Sequence, residues 1–430
     1  MNALPGVILF CALTPQFLFA NDYFVSTSGS NDNSGTLKEP WQTIQYASNQ
    51  VKPGDTVHVR AGNYPEHVNL NVSGYSSKKV TIKAYEQEKV TLNPGSFYAF
   101  NLSYQRIQGF HILNTTGRRP GIEFAGNGGY VEIVGNEISD MKLQHTAAMR
   151  VGGTMHHFLI SQNHVHHNNT GNEEGIRIHQ RTHDFEVLNN EVNDNSNIGI
   201  DIVGWTQYGK PKRGLIRGNF AHDNGNQAPW SSGIYLDSPD DMIVEYNISR
   251  GQDFGFQFGC EPSDDESQGN ILRFNLAYDN HQYGFGIGGY TGGEVHHCLI
   301  YNNVFVNNKR EIGFSKNAGH HNVIVNNILY NSNGQSINTL SQPTSTLIDY
   351  NCYLTKFGGK PGIHSISKDP LFSNVLKKQF SLLQQSPCLT AGTTIRPLLS
   401  QIEGMSRFDN AISGESDTAT IGMRKIPTFP

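Results

Sequence analysis

From Gly121 onward, apolar and polar residues alternate in short strands rather than at helical spacing. Each cycle reads as a Gly-led apolar-x-apolar strand, a polar turn, a second apolar strand, and an Asn that opens the next turn. These Asn residues are Asn136, Asn163, Asn190, Asn219, Asn247, Asn275, Asn303, Asn327 and Asn351, at steps of 24 to 29 residues. Short strands recurring at that period without helical spacers predict an all-β solenoid, a parallel β-helix spanning residues 65–355. Alternation turns Ile176/Ile178, Ile200/Ile202, Ile234/Leu236 and Phe256/Phe258 inward as one stacked core. The Asn residues are predicted to form a ladder, amide on amide along the axis. The general preference of parallel crossovers predicts right-handed coiling.

The ends differ from the repeats. Trp41, Ile44 and Ala47 recur at helical spacing and predict a short amphipathic helix, followed by a Pro53-Gly54 turn and the alternating strand that begins at Thr56. Residues 21–64 are therefore read as an N-terminal cap with the first coil. Past Asn351 the pattern decays, so residues 356–430 are read as an irregular C-terminal cap and tail. Residues 23–64 resemble the N-terminal cap of secreted right-handed parallel β-helix proteins, among them pectate-lyase-like and chondroitinase-B-like polysaccharide lyases. The resemblance implies a single-stranded right-handed parallel β-helix acting on a polysaccharide. It does not extend to a lysine placed as the pectate-lyase base, nor to the asparagine-and-glutamate calcium pattern of the chondroitinase-B group.

Residues 1–20 contain a broken apolar run that ends at Phe17-Leu18-Phe19-Ala20 before Asn21-Asp22. This reads as a signal peptide cut after Ala20, with a secreted or periplasmic product expected. The run is too short to span a membrane. A net charge of -5 gives no basic field, which argues against a nucleic-acid partner; a monomer is expected. Cys260, Cys298, Cys352 and Cys388 fit neither a zinc ribbon nor a disulfide framework and are expected as buried thiols.

Aligned on the Gly-led strands, the outward side chains form two columns. The first holds Glu123, Arg150, Arg177, Asp201, Tyr235 and Gln257; the second holds Ala125, Gly152, His179, Val203, Asp237 and Gly259. With coils about 4.8 Å apart and alternate residues about 6.7 Å apart, Arg177 is expected against Asp201, and Asp201 about 8 Å from Asp237. The turns after Asp201 and before Asp237 are enlarged. They carry Trp205, Tyr208, Lys210, Lys212, Arg213 and Trp230. Flat aromatic faces beside cations predict a groove for a long glycan, acidic or neutral, with Arg150 contributing to binding.

Two reactions fit these residue types. A lyase must neutralise a uronate carboxylate and then remove the adjacent proton. Arg150, Arg177, or a Ca²⁺ held by Glu173, Glu174 and Asp201 could do the first, and His179 or Tyr235 the second. An inverting glycosidase would use Asp201 and Asp237. A third possibility is a static glycan-binding or adhesion scaffold. The arginines and the resemblance favour the lyase. His156-His157, His296-His297 and His320-His321 occupy one turn position before the Asn ladder, which points to turn chemistry rather than a metal site.

Overall fold

The computed structural model describes residues 20–422, apart from 144, 290–291, 316–317, 333–334, 340–344, 355–357, 359–360, 409 and 413–419. The chain winds as a right-handed parallel β-helix with three long sheets. Two have thirteen strands and one has eleven, and neighbouring strands within each are successive coils in parallel register. One coil shows the plan: His183–Leu188 lies in the first sheet, Glu191–Asn193 in the second, and Ile200–Val203 in the eleven-stranded third. The inward residues read from the sequence line the core, with Ile176, Ile178, Ile200, Ile202 and Phe256 fully buried.

The corner between the first and second sheets explains the Asn period. The residue before each ladder Asn (Gly135, Gln162, Asn189, Gly218, Tyr246, Phe274, Asn302, Asn326, Tyr350) is left-handed, with φ between 53° and 67°. For seven non-glycine residues that conformation costs about 1 kcal/mol each. The next residue offsets it. Each ladder Asn up to Asn327 donates its amide to the Asn one coil on at 2.9–3.1 Å, and from Asn163 on each also accepts from the backbone N–H of the preceding ladder Asn. Each bond contributes roughly 1 kcal/mol and satisfies buried groups that water cannot reach.

A second ladder runs five residues later. Asn168, Asn195, Asn224, Gln252, Asn280 and Asn308 form it, with side-chain bonds of 2.7–3.5 Å, each again preceded by a left-handed residue. The histidine pairs belong to the same corner chemistry. His157, His297 and His321 are left-handed, and each ring meets its neighbour's Nδ1 at 2.7–2.9 Å. Stacking of successive pairs brings nitrogens of His296, His297 and His320 within 4.8 Å of one another.

The N-terminal helix, Ile44–Gln50, is capped by the Thr43 side chain, which accepts from the Tyr46 N–H. It buries Ile44 and Ala47 over the open end of the first coil, where unpaired strand edges would otherwise lie bare. The C-terminal segment does more than close the last coil. Ile395, Leu399, Met405, Phe408 and Ile412 form a second apolar cluster with outward residues of the coils, including Ile248, Leu276, Val304 and Ile328. Arg407 reaches back to Asp241, and Arg273 donates to the Ala411 carbonyl at 2.7 Å. Cys260, Cys298, Cys352 and Cys388 are buried free thiols. Among the described residues no helix is long and apolar enough to cross a membrane.

Candidate active site

The third sheet carries both columns in the register counted from the sequence. Glu123 pairs with Arg150, Arg150 with Arg177, Arg177 with Asp201, Asp201 with Tyr235, and Tyr235 with Gln257; His179, Val203, Asp237 and Gly259 align beside them. The leading glycines hold this register. A Cβ on Gly199 would lie 2.7 Å from the Gly233 carbonyl and 2.9 Å from Asn224 Nδ2, so the second ladder leaves no room for a side chain there.

The columns are not an open face. The turn at residues 204–209 and the segment at 260–266 fold over them and are tied together. Asp265 accepts from the Thr206 backbone and hydroxyl at 2.6 and 2.7 Å and pairs with Lys210 at 2.6 Å. Asp237 anchors both covers, accepting from Trp205 Nε1 at 3.2 Å and from the Glu261 N–H at 3.1 Å, while Ser238 adds a third bond at 3.1 Å. Asp201 and Asp237 are each 3% exposed and Tyr235 5%. Tyr235 lies over Gly259, where a Cβ would sit 2.7 Å from its ring.

Two expectations change here. Arg177, though beside Asp201 in register, makes no ion pair with it. Its guanidinium is taken by Glu173, with Glu174 3.8 Å away, because the turn just before the strand delivers these carboxylates first. Lys210 is not free for a ligand, since its side chain is 9% exposed in the pair with Asp265. The expected cationic patch is largely neutralised: Lys212 lies 3.5 Å from Asp240, and Arg213 holds Asp184 through two bonds of 2.6 and 2.7 Å. Arg150 is engaged by Glu123.

The electrostatics are unusual for a sheet face. Burial opposes the Arg177 charge, but Glu174, Glu173, Asp201 and Asp237 more than offset it and hold the guanidinium protonated. Burial, then Glu174 and Asp237, pushes the Asp201 carboxyl well above its usual range. Glu174 is raised by burial against the opposing pull of Arg177. Three buried atoms there have no hydrogen-bond partner among the described residues: Arg177 Nε, Glu174 Oε2 and Asp201 Oδ1. His179 is pushed down to about 3 by burial, then by Arg177 and Arg150, so its ring is neutral. A residue absent from the sequence reading, Glu261, completes the site. It is exposed on its outer side, yet desolvation, then the Asp237 charge, lifts its carboxyl to about 7. Its signal was one step beyond the strand, where the columns continue into Trp205 and Glu261.

Arg177 and His179 line a cavity of about 220 Å³ with Gln180, Val203, Trp205 and Tyr208. Trp205 and Tyr208 face each other at 6.0 Å, and Tyr208 is 58% exposed. Trp230 does not join them; it stands further along the axis against Phe254. For the expected Ca²⁺, Glu174 and Asp201 fit, because their unpartnered buried oxygens are the hard donors such an ion takes. Glu173 is committed to Arg177.

These features define a right-handed β-helix whose enlarged turns roof an arginine- and histidine-lined cleft, backed by buried carboxylates, on one outer sheet face. Residues 23–287 match the Pel9A-like, right handed beta helix region, and the chain belongs to that family. It is 25% identical over 325 residues to the uncharacterised protein YwoF of Bacillus subtilis (strain 168), covering 67% of this chain and 69% of that one. A shorter stretch of 90 residues is 39% identical to pectate lyase PEL9 of Emericella nidulans, 20% of this chain and 22% of that one. Among solved structures, pectate lyase Pel9A superposes with a TM-score of 0.57 at 14% identity, over 94% of this chain and 95% of its own. The alginate lyase AlyGC does so at 0.51 and 14%, over 85% and 57%. These similarities show the shared fold.

Proposed function

We propose that this protein is an exported polysaccharide lyase that cleaves a uronate-containing glycan by β-elimination. The observation that carries the reading is Arg177, a charged guanidinium held in a cavity with an unpartnered buried Nε beside a neutral His179. A uronate carboxylate seated in the cavity accepts from Arg177, and neutralising it acidifies the C–H bond beside it. His179 takes that proton. The substrate carboxylate cancels part of the Arg177 field that depresses the imidazole, so basicity rises when substrate is bound. The C–H electron pair forms the new double bond, and the glycosidic oxygen leaves with its own pair. Glu261, titrating near neutrality at the cleft edge, protonates it. Tyr235 is sealed beneath the covers, which favours His179 as the base. Ca²⁺ on Glu174 and Asp201 would supply a second positive centre near the carboxylate. Membership of the Pel9A-like family and the lyase names of its relatives support the reading.

The test is a panel of pectate, alginate, chondroitin sulfate and neutral xylan, followed in parallel by ultraviolet absorbance of unsaturated uronate and by reducing ends. Both signals should rise together, and Arg177→Ala should lower kcat/KM by about 10²- to 10³-fold, as loss of a preorganised charge-stabilising donor does. Reducing ends without absorbance would refute elimination and return the case to hydrolysis by Asp201 and Asp237.

A further inference from the structure

Along the third sheet, beyond Tyr235, the outward positions lose their charge and then their side chains. Gln257 is followed by Gly286 and Gly313 in one column, and Gly259 by Gly288 in the other. A cavity of about 260 Å³ opens there. Its walls are aromatic. Trp230, 59% exposed, lies 6.3 Å from Phe254, and Phe254 stacks on Tyr283 at 5.2 Å and 26°. The glycines are a condition of this arrangement. A Cβ on Gly286 would fall 2.8 Å from the Phe254 ring, and one on Gly313 2.9 Å from Tyr283 Cζ. Trp230 is fixed by its backbone N–H, which donates to Asp253 at 2.6 Å.

Among the described residues, none that lines this cavity carries a charge. Arg310 stacks on the Tyr283 ring at 5.8 Å without entering the lining. The polar handles are Ser315 and Gln257, whose amide oxygen already accepts from the Ser232 hydroxyl at 2.7 Å and leaves its NH₂ to donate. A carboxylate here would lose its water against three rings and meet no cation among the described lining residues. The apolar face of a neutral sugar would stack, with its hydroxyls meeting the amide.

We propose that this cavity is a subsite for an uncharged sugar residue, and that the substrate is therefore a glycan of mixed charge. An acidic unit occupies the Arg177 cavity, and a neutral or esterified unit lies three to five coils along, centred about 19 Å away at ~4.8 Å per coil. The cavity shares its sheet face with the catalytic columns, so one extended chain reaches both. This rests on the glycan-cleaving reading above.

A matched pair of probes separates the two claims: oligogalacturonides fully methyl-esterified, and the same oligomers de-esterified, titrated by calorimetry. The esterified form should bind the full-length protein, weaken at least tenfold in Trp230→Ala and in Phe254→Ala, and change less than twofold in Arg177→Ala. The acidic form should depend on Arg177. If only the acidic form binds, or if esterified binding ignores Trp230 and Phe254, the neutral subsite is overturned while the lyase reading stands. If neither form nor any glycan of the activity panel binds, both fall.

Discussion

Substituting alanine at Gly152 tests whether His179 acts through its position. Gly152 lies outside the left-handed region, so its backbone accepts alanine. The new methyl would sit 2.5 Å from His179 Cδ2 and nearer still to Nε2. To regain ordinary contact the imidazole has to move about an ångström, which a χ rotation costing about 1 kcal/mol achieves. Removing a glycine returns about 0.4–1 kcal/mol through the unfolded chain, so Tm should stay nearly constant. Catalytic geometry is less forgiving, since misplacement by about 1 Å costs on the order of 10²-fold, or about 2.7 kcal/mol in barrier. Two readouts decide the matter. Turnover on the identified glycan should fall by about that factor. The imidazole titration followed by NMR should climb from about 3 towards the ordinary histidine range as the ring escapes burial and the Arg177 and Arg150 fields. An unchanged titration with unchanged turnover would show that His179 is not held where the mechanism needs it.

Three further outcomes follow from the same geometry. Asp201 has a folded-state pKa raised above its unfolded value, so its contribution to stability is greatest below the unfolded pKa and is lost as pH rises; Asp201→Asn should gain in Tm over wild type more at about pH 8 than at about pH 5. Glu261→Gln should delete a limb near pH 7 from the kcat/KM profile, and persistence of that limb would assign it elsewhere. Asn219→Ala strips partners from the Asn190 N–H and side-chain amide, both buried, and should cost about 2–4 kcal/mol in denaturant titrations with unfolding still cooperative.

The fold was legible because the signal repeats. Coil lengths vary only in turns, so aligning Gly-led strands gave a register that holds at each pair from Glu123–Arg150 to Tyr235–Gln257. The second ladder went unread: its trace is the constant five-residue offset from Asn163 to Asn168 and from Asn190 to Asn195, which Gln252 and the changing turns hid. The covers over the site were not readable. Contacts between Asp265 and Thr206 or Lys210 join turns 59 or fewer residues apart with no periodic trace, and they convert an open face into a cleft. For the same reason Lys210 looked free and Arg177 looked like a partner for Asp201. Local sequence gave no sign that Glu173 and Glu174 would fold back onto the guanidinium.

The two amide ladders bear on how such a chain lengthens. Rungs of the first ladder make the same bonds to the next, so a duplicated coil meets a ready-made partner above and below, and coil number outside the cleft is free to drift by whole units. The cleft and the aromatic cavity are fixed to particular rungs. A coil gained between Asp237 and Phe254 would break both, because Glu261 reaches back to Asp237 and Trp230 packs on Phe254 across that gap. Drift in coil number is therefore confined to the coils on either side, and the stretch from Glu173 to Ser315 is inherited as one block whose spacing along the polymer stays constant.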